Sequence, residues 1–325
     1  MATAPVAAAG VRPPAPEVAE DLEAFIAWLQ AGGLVQAGDP MPESYRQHAL
    51  RIASFQALAE LVGVLLFSDW LERVPAFIRK QMITAKVQDE VGHGHVMARV
   101  AEDLGGNRLT ILEDYLEGRS KLLNVFHYEF QTWPEIAVGA ILQNSAAIVQ
   151  FQSLVKGSYL PYVRALRKIL PEESFHFHQA RNLIQTLLGQ RDPVVRRQLE
   201  EGLALWFPRV LAYFGPPEGE RFWSNKMVQF RLKMASNEAL RQAWLTRIVP
   251  VLEQLGLQIP DPRLRRREDG TWEYTEPDWE EVRRVIAGQG PASARRREQV
   301  RSIYERNRWL TEMMGIGEQH VKPGF

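Results

Sequence analysis

Two stretches of this chain repeat one pattern of metal-binding side chains: Asp89-Glu90-Val91-Gly92-His93 and Glu172-Glu173-Ser174-Phe175-His176. Each contains Glu-x-x-His. Residues three apart lie on the same face of a helix, so the Glu and His of either stretch can reach one ion together. Two such helices packed antiparallel would bring two ions side by side. A single Glu-x-x-His arises by chance about once in two or three chains of this length at ordinary residue usage. Two copies on two long helical segments point to a metal pair. Oxygen and imidazole donors suit iron, and the same donors admit manganese.

A further carboxylate stands out in Leu58-Ala59-Glu60-Leu61-Val62. A charge in so apolar a setting needs a partner or must take up a proton. Glu60 is therefore a candidate for the same centre. The remaining histidines read differently. His95 and His178 follow the candidate ligands by two positions and point elsewhere on the helix, toward the surface or an outer layer. His48, His127 and His320 have no spacing argument. Lys86, one turn before Glu90, reads as solvated, with contact to substrate or to a partner protein as the lesser alternative.

The elements that must position these residues are long. From Pro42 onward apolar residues recur at helical spacing over residues 43–67, 75–104, 133–157 and 159–188. Helices of about 25 to 30 residues far exceed the ordinary mean of roughly 11 to 12. They predict an all-α protein with a four-helix bundle core, and paired Glu-x-x-His motifs in such a bundle are the plan of ferritin-like di-iron carboxylate proteins. Pro171, inside the fourth segment, predicts a kink or irregular turn just before Glu173. Asp192-Pro193 opens a fifth helix to about 214, and another spans 236–256 with a bend near Pro250. Asp269-Gly270 marks a small hairpin within 264–274, and amphipathic helices over 278–287 and 292–314 follow. The expected organisation is a loose, Ala- and Pro-rich arm over 1–40, the bundle over 41–215 and a helical extension packed on it over 216–325.

Composition narrows the chemistry. The chain has 325 residues, 46% of them hydrophobic, enough for one large core. Lys plus Arg and Asp plus Glu both total 39, so no net field favours nucleic acid. Cysteine is absent, which excludes disulfides, thiolate catalysis and Cys-held zinc or iron–sulfur clusters within this chain. Electrons for redox chemistry must come from elsewhere. No uninterrupted apolar run reaches the roughly 18 residues of a membrane span, and residues 1–10 lack the basic start and apolar stretch of a signal peptide. No membrane association and a cytoplasmic location are expected.

The segments around the motifs are informative in their own right. Ala85-Lys86-Val87-Gln88-Asp89-Glu90-Val91-Gly92-His93-Gly94, Ala146-Ala147-Ile148-Val149, Glu172-Glu173-Ser174-Phe175-His176, Phe214-Gly215-Pro216, Asn237-Glu238-Ala239-Leu240-Arg241-Gln242, Val249-Pro250 and Ile259-Pro260-Asp261-Pro262 resemble the PaaA family. These are catalytic subunits of phenylacetyl-CoA 1,2-epoxidases, and the likeness covers about residues 41–310. The resemblance implies O2-dependent insertion of one oxygen atom into the ring of phenylacetyl-CoA or a similar aromatic acyl-CoA, at two iron ions, in aerobic phenylacetate degradation. It also implies a separate NADPH-dependent flavin iron–sulfur reductase, together with two further partners, one a related structural subunit, the other a small accessory subunit. The chain is expected in a hetero-oligomer, or as a homodimer in isolation.

Carried over by motif, the family's ligand positions fall on Glu60, Glu90, His93, Glu173 and His176. The sixth departs from the pattern. The family has an Asp just before Gly-Ala-Ala-Ile-Val, whereas this chain reads Gln143-Asn144-Ser145-Ala146-Ala147-Ile148-Val149. Asn144 then offers a neutral amide oxygen, which binds a hard cation more weakly and cannot bridge. Two alternatives stay open: a scaffold subunit that has lost or impaired its activity, and a di-iron oxidase or desaturase acting on another acyl thioester.

Overall fold

The computed structural model describes residues 14–219 and 221–313. Helices α1 (Pro16–Glu20) and α2 (Leu22–Gln30) precede the long α3 (Glu43–Gly63) and the single turn α4 (Leu65–Ser68). α5 (Phe77–Glu102), α6 (Arg108–Leu116), α7 (Trp133–Leu154), α8 (Leu160–Gly189) and α9 (Pro193–Leu211) follow. Two short turns, α10 (Arg221–Ser224) and α11 (Lys226–Gln229), lead to α12 (Asn237–Gln254). A hairpin of β1 (Arg265–Arg266) and β2 (Trp272–Glu273), then α13 (Trp279–Arg284) and α14 (Ser293–Met313), complete the described chain. α3 packs on α5, α7 on α8, and α5 crosses to α8. The architecture is all-α, with one two-stranded antiparallel sheet among the described residues.

The central helix is α7, and its sequence explains why. Ile136-Ala137-Val138-Gly139-Ala140-Ile141-Leu142 is apolar or small on every side, and a helix hydrophobic all round must be wrapped by others. α8, α9 and α12 do the wrapping. Its start is set by a capping box in which Thr132 Oγ1 accepts from the Glu135 amide while the Glu135 carboxylate reaches back. Glu135 also accepts from Trp206 Nε1 at 2.7 Å, so the cap anchors α9 as well. Gly94 on α5 has a different task. A Cβ there would meet Leu61 Cγ at 2.6 Å, so its bare backbone lets α3 come close beside His93 and delivers Glu60 to the interior.

Two large apolar clusters, with a smaller third around Leu58, Val62 and Tyr115, fill the described part of the protein. One gathers Ile83, Phe177, Trp206, Phe207 and Trp244 with much of α7; the other holds Phe25, Leu29, Tyr45, Met97, Phe151 and Phe230. Along α5 the polar run Lys86 to His93 lies between Ile83 of the first and Met97 of the second. Along α8, Glu173 and His176 lie between Ile169 of the second and Phe177 of the first. The candidate metal side chains thus occupy the waist between two apolar regions, where helices from both sides converge.

The extension after α9 is tied on by the Asn237–Gln242 motif. Arg241 is fully buried and donates to the carbonyls of Leu211 and Gly215, and it pairs with Glu238. Gln242 accepts from the Trp272 amide at 2.6 Å and donates to the Trp272 carbonyl at 2.9 Å, which fastens the hairpin to α12. Asp269-Gly270 turns that hairpin, with Gly270 at φ 84.

One expectation needs correction here. The loose arm does not extend to residue 40. Phe25 and Leu29 are fully buried, and α2 is capped by Asp21, which accepts from the Glu23 and Ala24 amides. The Ala- and Pro-rich composition of residues 1–15 does not carry over to Phe25-Ile26-Ala27-Trp28-Leu29, an amphipathic segment whose spacing is helical. Residues 1–13 lie outside the described part. Phe25→Ala is expected to lower stability by roughly 3–5 kcal/mol, read from the urea midpoint; an unmoved midpoint would restore the arm. Helix α8 continues through Pro171 without a break, as α12 does through Pro250. Finally, Glu43–Ser68 is long and apolar enough to cross a membrane on those two criteria alone. Of the window that meets them, 61% is buried inside the protein, and the stretch carries Glu60, so it behaves as a core helix.

Candidate metal centre

Four helices contribute. Glu60 comes from α3, Lys86, Asp89, Glu90 and His93 from α5, Asn144 from α7, and Glu172, Glu173 and His176 from α8. One ligand atom each from Glu60, Glu90, His93 and Glu173 lies within 4.8 Å of the others, and all four residues are buried. His93 Nδ1 stands 3.9 Å from Glu60 Oε2, 3.8 Å from Glu90 Oε2 and 3.6 Å from Glu173 Oε1. These gaps are too long for hydrogen bonds, and the buried Nδ1 has no partner. They suit donors that surround one ion, each about 2.0–2.2 Å from it. The residues fit a metal.

The opposite side repeats the arrangement. His176 Nδ1 stands 3.6 Å from Glu90 Oε1 and 3.8 Å from Glu173 Oε2. Glu90 and Glu173 therefore each turn one oxygen toward His93 and the other toward His176. Such a placement would let the two carboxylates be shared between ions on the two sides. Asn144, buried on α7, reaches the His176 side, where its Oδ1 accepts from Lys86 Nζ at 3.1 Å.

Each imidazole is aimed by the partner helix. His93 Nε2 lies 2.9 Å from Glu172 Oε2, and His176 Nε2 lies 3.0 Å from Asp89 Oδ2. The earlier residue of one motif pairs with the later of the other, so α5 and α8 run antiparallel here. A carboxylate accepting the Nε2 proton leaves the Nδ1 lone pair facing the centre and raises its basicity. Lys168 holds Glu172 in turn, at 3.0 Å. Sequence reasoning passes over Asp89 and Glu172, yet a signal is present as an acid immediately before each Glu of the motif.

Lys86 is the largest departure from expectation. It is not solvated: at 7% exposure its ammonium pairs with Glu90 and lies 3.5 Å from His176 Nδ1. Burial works against that charge, but Glu90 and then Glu173 more than offset it and hold the lysine pKa above its ordinary value. Burial would also raise Glu90, yet Lys86 first, then the adjacent His93 and Glu60 side chains, draw it well below the usual carboxylate range. Glu60 goes the other way. Burial, with the charges of Glu90 and Glu173, pushes it well above that range, so the metal-free centre keeps a proton there. For His93, burial opposes the charged form, while Glu90 and Glu173 outweigh it and raise the pKa.

A cavity of about 290 Å³ opens onto the centre. Glu60, Glu90, Glu173 and Asn144 line one part, and Phe55, Ala59, Phe126 and Phe151 give it an apolar wall. Its volume is near the lower end of the roughly 300–1,000 Å³ typical of ligand pockets. Tyr162 and Tyr213 also face this space, and burial raises both phenol pKa values.

Residues 18–309 match the family model described as phenylacetic acid catabolic protein. The chain belongs to this family. It is also 35% identical over 292 residues to one of the subunits of the 1,2-phenylacetyl-CoA epoxidase of Escherichia coli (strain K12), covering 89% of this chain and 94% of that one. The epoxidase resemblance read from the motifs therefore holds, and the chain has a role in phenylacetate catabolism.

The other histidines of the described part stand apart from the centre. His95 and His178 are exposed on their helices, and His48 bonds its own helix at the Ser44 carbonyl, 2.6 Å away. His320 lies outside the described residues. His127 is buried, with Nδ1 2.7 Å from Ser293 Oγ, and burial lowers its pKa to about 4. The unfolded chain takes up this proton near pH 6.5, so between pH 6.5 and about 4 it binds more protons than the folded one. Stability is therefore lost as pH falls through that window, by about 3 kcal/mol at most. In His127→Asn, urea midpoints measured across the window should lose that part of the acid limb; an unchanged limb would remove His127 as its source.

Proposed function

We propose that this chain is the catalytic subunit of a multicomponent epoxidase that inserts one atom of O2 into the ring of phenylacetyl-CoA or a similar aromatic acyl-CoA. The observation that carries the reading is the two-sided placement of Glu90 and Glu173 between His93 and His176. Glu60, Glu90, His93, Glu173 and His176 would hold two iron ions, with Asn144 at the sixth position. Bound there, the ions would supply the reduction of O2 and delivery of its oxygen atom. The chain's own side chains do the rest. Asp89 and Glu172 keep the two imidazoles in the tautomer that faces the centre. The wall of Phe55, Ala59 and Phe126 accepts an aromatic ring and excludes water. With no cysteine of its own, the chain depends on a reductase with flavin and iron–sulfur groups, and it works beside two further partners, one a related structural subunit, the other a small accessory subunit.

The test is turnover of anaerobically Fe(II)-loaded protein with reductase, partner subunits, phenylacetyl-CoA and 18O2. The expected product is a ring epoxide of the CoA ester carrying one labelled oxygen. Oxidation confined to a non-aromatic acyl chain would overturn the substrate assignment. A scaffold role is the second reading, and Asn144 is the observation in its favour. Fewer than one iron per chain after loading would support it.

A further inference from the structure

We infer that the two metal positions of this chain are unequal, so that the His93 side fills first and the His176 side is a weak second site gated by Lys86 and Asn144. The inference rests on the two-ion reading above and concerns how this chain departs from a symmetric pair. Three observations carry it.

The first is the donor sets. Around His93 the carboxylates of Glu60, Glu90 and Glu173 converge, and their ligand atoms form one compact group with the imidazole. Around His176 stand the second oxygens of Glu90 and Glu173, but the remaining side chain is an amide. The His93 side therefore offers one more carboxyl ligand, and a carboxylate holds a hard cation more tightly than an amide oxygen does.

The second is the state of the two imidazoles. His93 Nδ1 is buried without any partner, which is a standing cost that an ion would remove. His176 Nδ1 is not in that condition, because Lys86 Nζ stands 3.5 Å away. The same ammonium touches Glu90 and Asn144, so it already occupies the space enclosed by the His176-side donors. An ion entering there must displace a buried positive charge. One entering beside His93 displaces no ammonium.

The third is Asn144 itself. Its Oδ1 is committed to Lys86, and its buried Nδ2 has no partner. The amide turns its acceptor to the lysine, leaving an N–H group, which repels cations, as its other face. An aspartate at the same place would offer two oxygens, one for Lys86 and one for a metal.

Loss of an outer hydrogen-bond partner alone weakens metal binding by roughly 10–100-fold, so exchange of a charged ligand should separate the two sites by at least about tenfold. The experiment uses the full chain, stripped of metal and titrated anaerobically with Co(II), with bound metal per chain and the Co(II) absorption read together. The expected result is one tight equivalent followed by a second bound at least about tenfold more weakly. Electron paramagnetic resonance at one equivalent should show isolated ions rather than half as many coupled pairs. His176→Ala should remove the second step and keep the first, while the near-isosteric Asn144→Asp should bring the two steps together. Two equivalents of equal affinity, or a gap that Asn144→Asp leaves unchanged, would overturn the inference and leave the two-ion reading standing. No bound Co(II) at all would overturn both.

Discussion

Glu90→Ala is expected to cost the metal-free protein roughly 3–5 kcal/mol and to abolish stable metal binding, because it removes one partner of a buried ion pair and a donor shared by both positions. Lys86 and Glu90 are 7% and 8% exposed, so neither charge can turn to water when the other is lost. Without Glu90 the ammonium keeps Glu173 nearby, but it loses the contact that most sustains its charge. The counterpart Lys86→Met leaves Glu90 and Glu173 crowded with no cation. The Glu90 pKa, which Lys86 holds down, then rises in the folded state, so the folded chain binds extra protons and its stability falls as pH rises. Metal-free Lys86→Met should be more stable near pH 5 than near pH 8, and saturating divalent metal should erase the difference. Urea midpoints at the two pH values, with and without metal, decide it. Equal midpoints in the metal-free variant would mean that Lys86 does not neutralise the centre.

How far the centre is legible in the sequence follows from what each residue needs. Glu90, His93, Glu173 and His176 are legible because helical spacing is a property of sequence, and two Glu-x-x-His copies constrain each other. Glu60 is legible because a charge within Leu58–Val62 has no cheap alternative to a partner. Lys86 is not, since a lysine one turn from a glutamate looks the same on a solvated face as in a buried one. What separates the cases is the close approach of α3 to α5 at Gly94 and the burial of α7, which are tertiary facts. Asp89 and Glu172 are hidden for a related reason. Their partners sit on the other helix, so no spacing within one segment announces them. The burial of α2 is missed when the composition of residues 1–15 is allowed to speak for Phe25 and Leu29, whose periodicity is there to be read. The continuity of α8 through Pro171 has a simple ground: tertiary packing against α5 and α7 holds the helix on both sides of the missing hydrogen bond.

The crossed pairing of α5 and α8 leads to the second large effect, one that inverts the usual link between a mutation's place in sequence and the site it damages. Asp89 adjoins Glu90 and lies in the motif of His93, yet its carboxylate supports His176. Glu172 lies in the motif of His176 and supports His93. Removing such a partner lowers metal affinity by roughly 10–100-fold, because the freed imidazole loses both its orientation and its preferred tautomer. Glu172→Ala should therefore weaken the first, tight equivalent of Co(II), while Asp89→Ala should leave that step nearly intact and weaken the second. Epoxidase turnover should fall in both, since a ring oxidation that needs two ions fails when either is lost. Asp89→Asn, which keeps an acceptor oxygen within reach of Nε2, should recover much of what Asp89→Ala loses. If Asp89→Ala instead weakened the first step, the imidazoles would not be held across the helix pair, and the antiparallel register of α5 and α8 would have no part in setting the metal site.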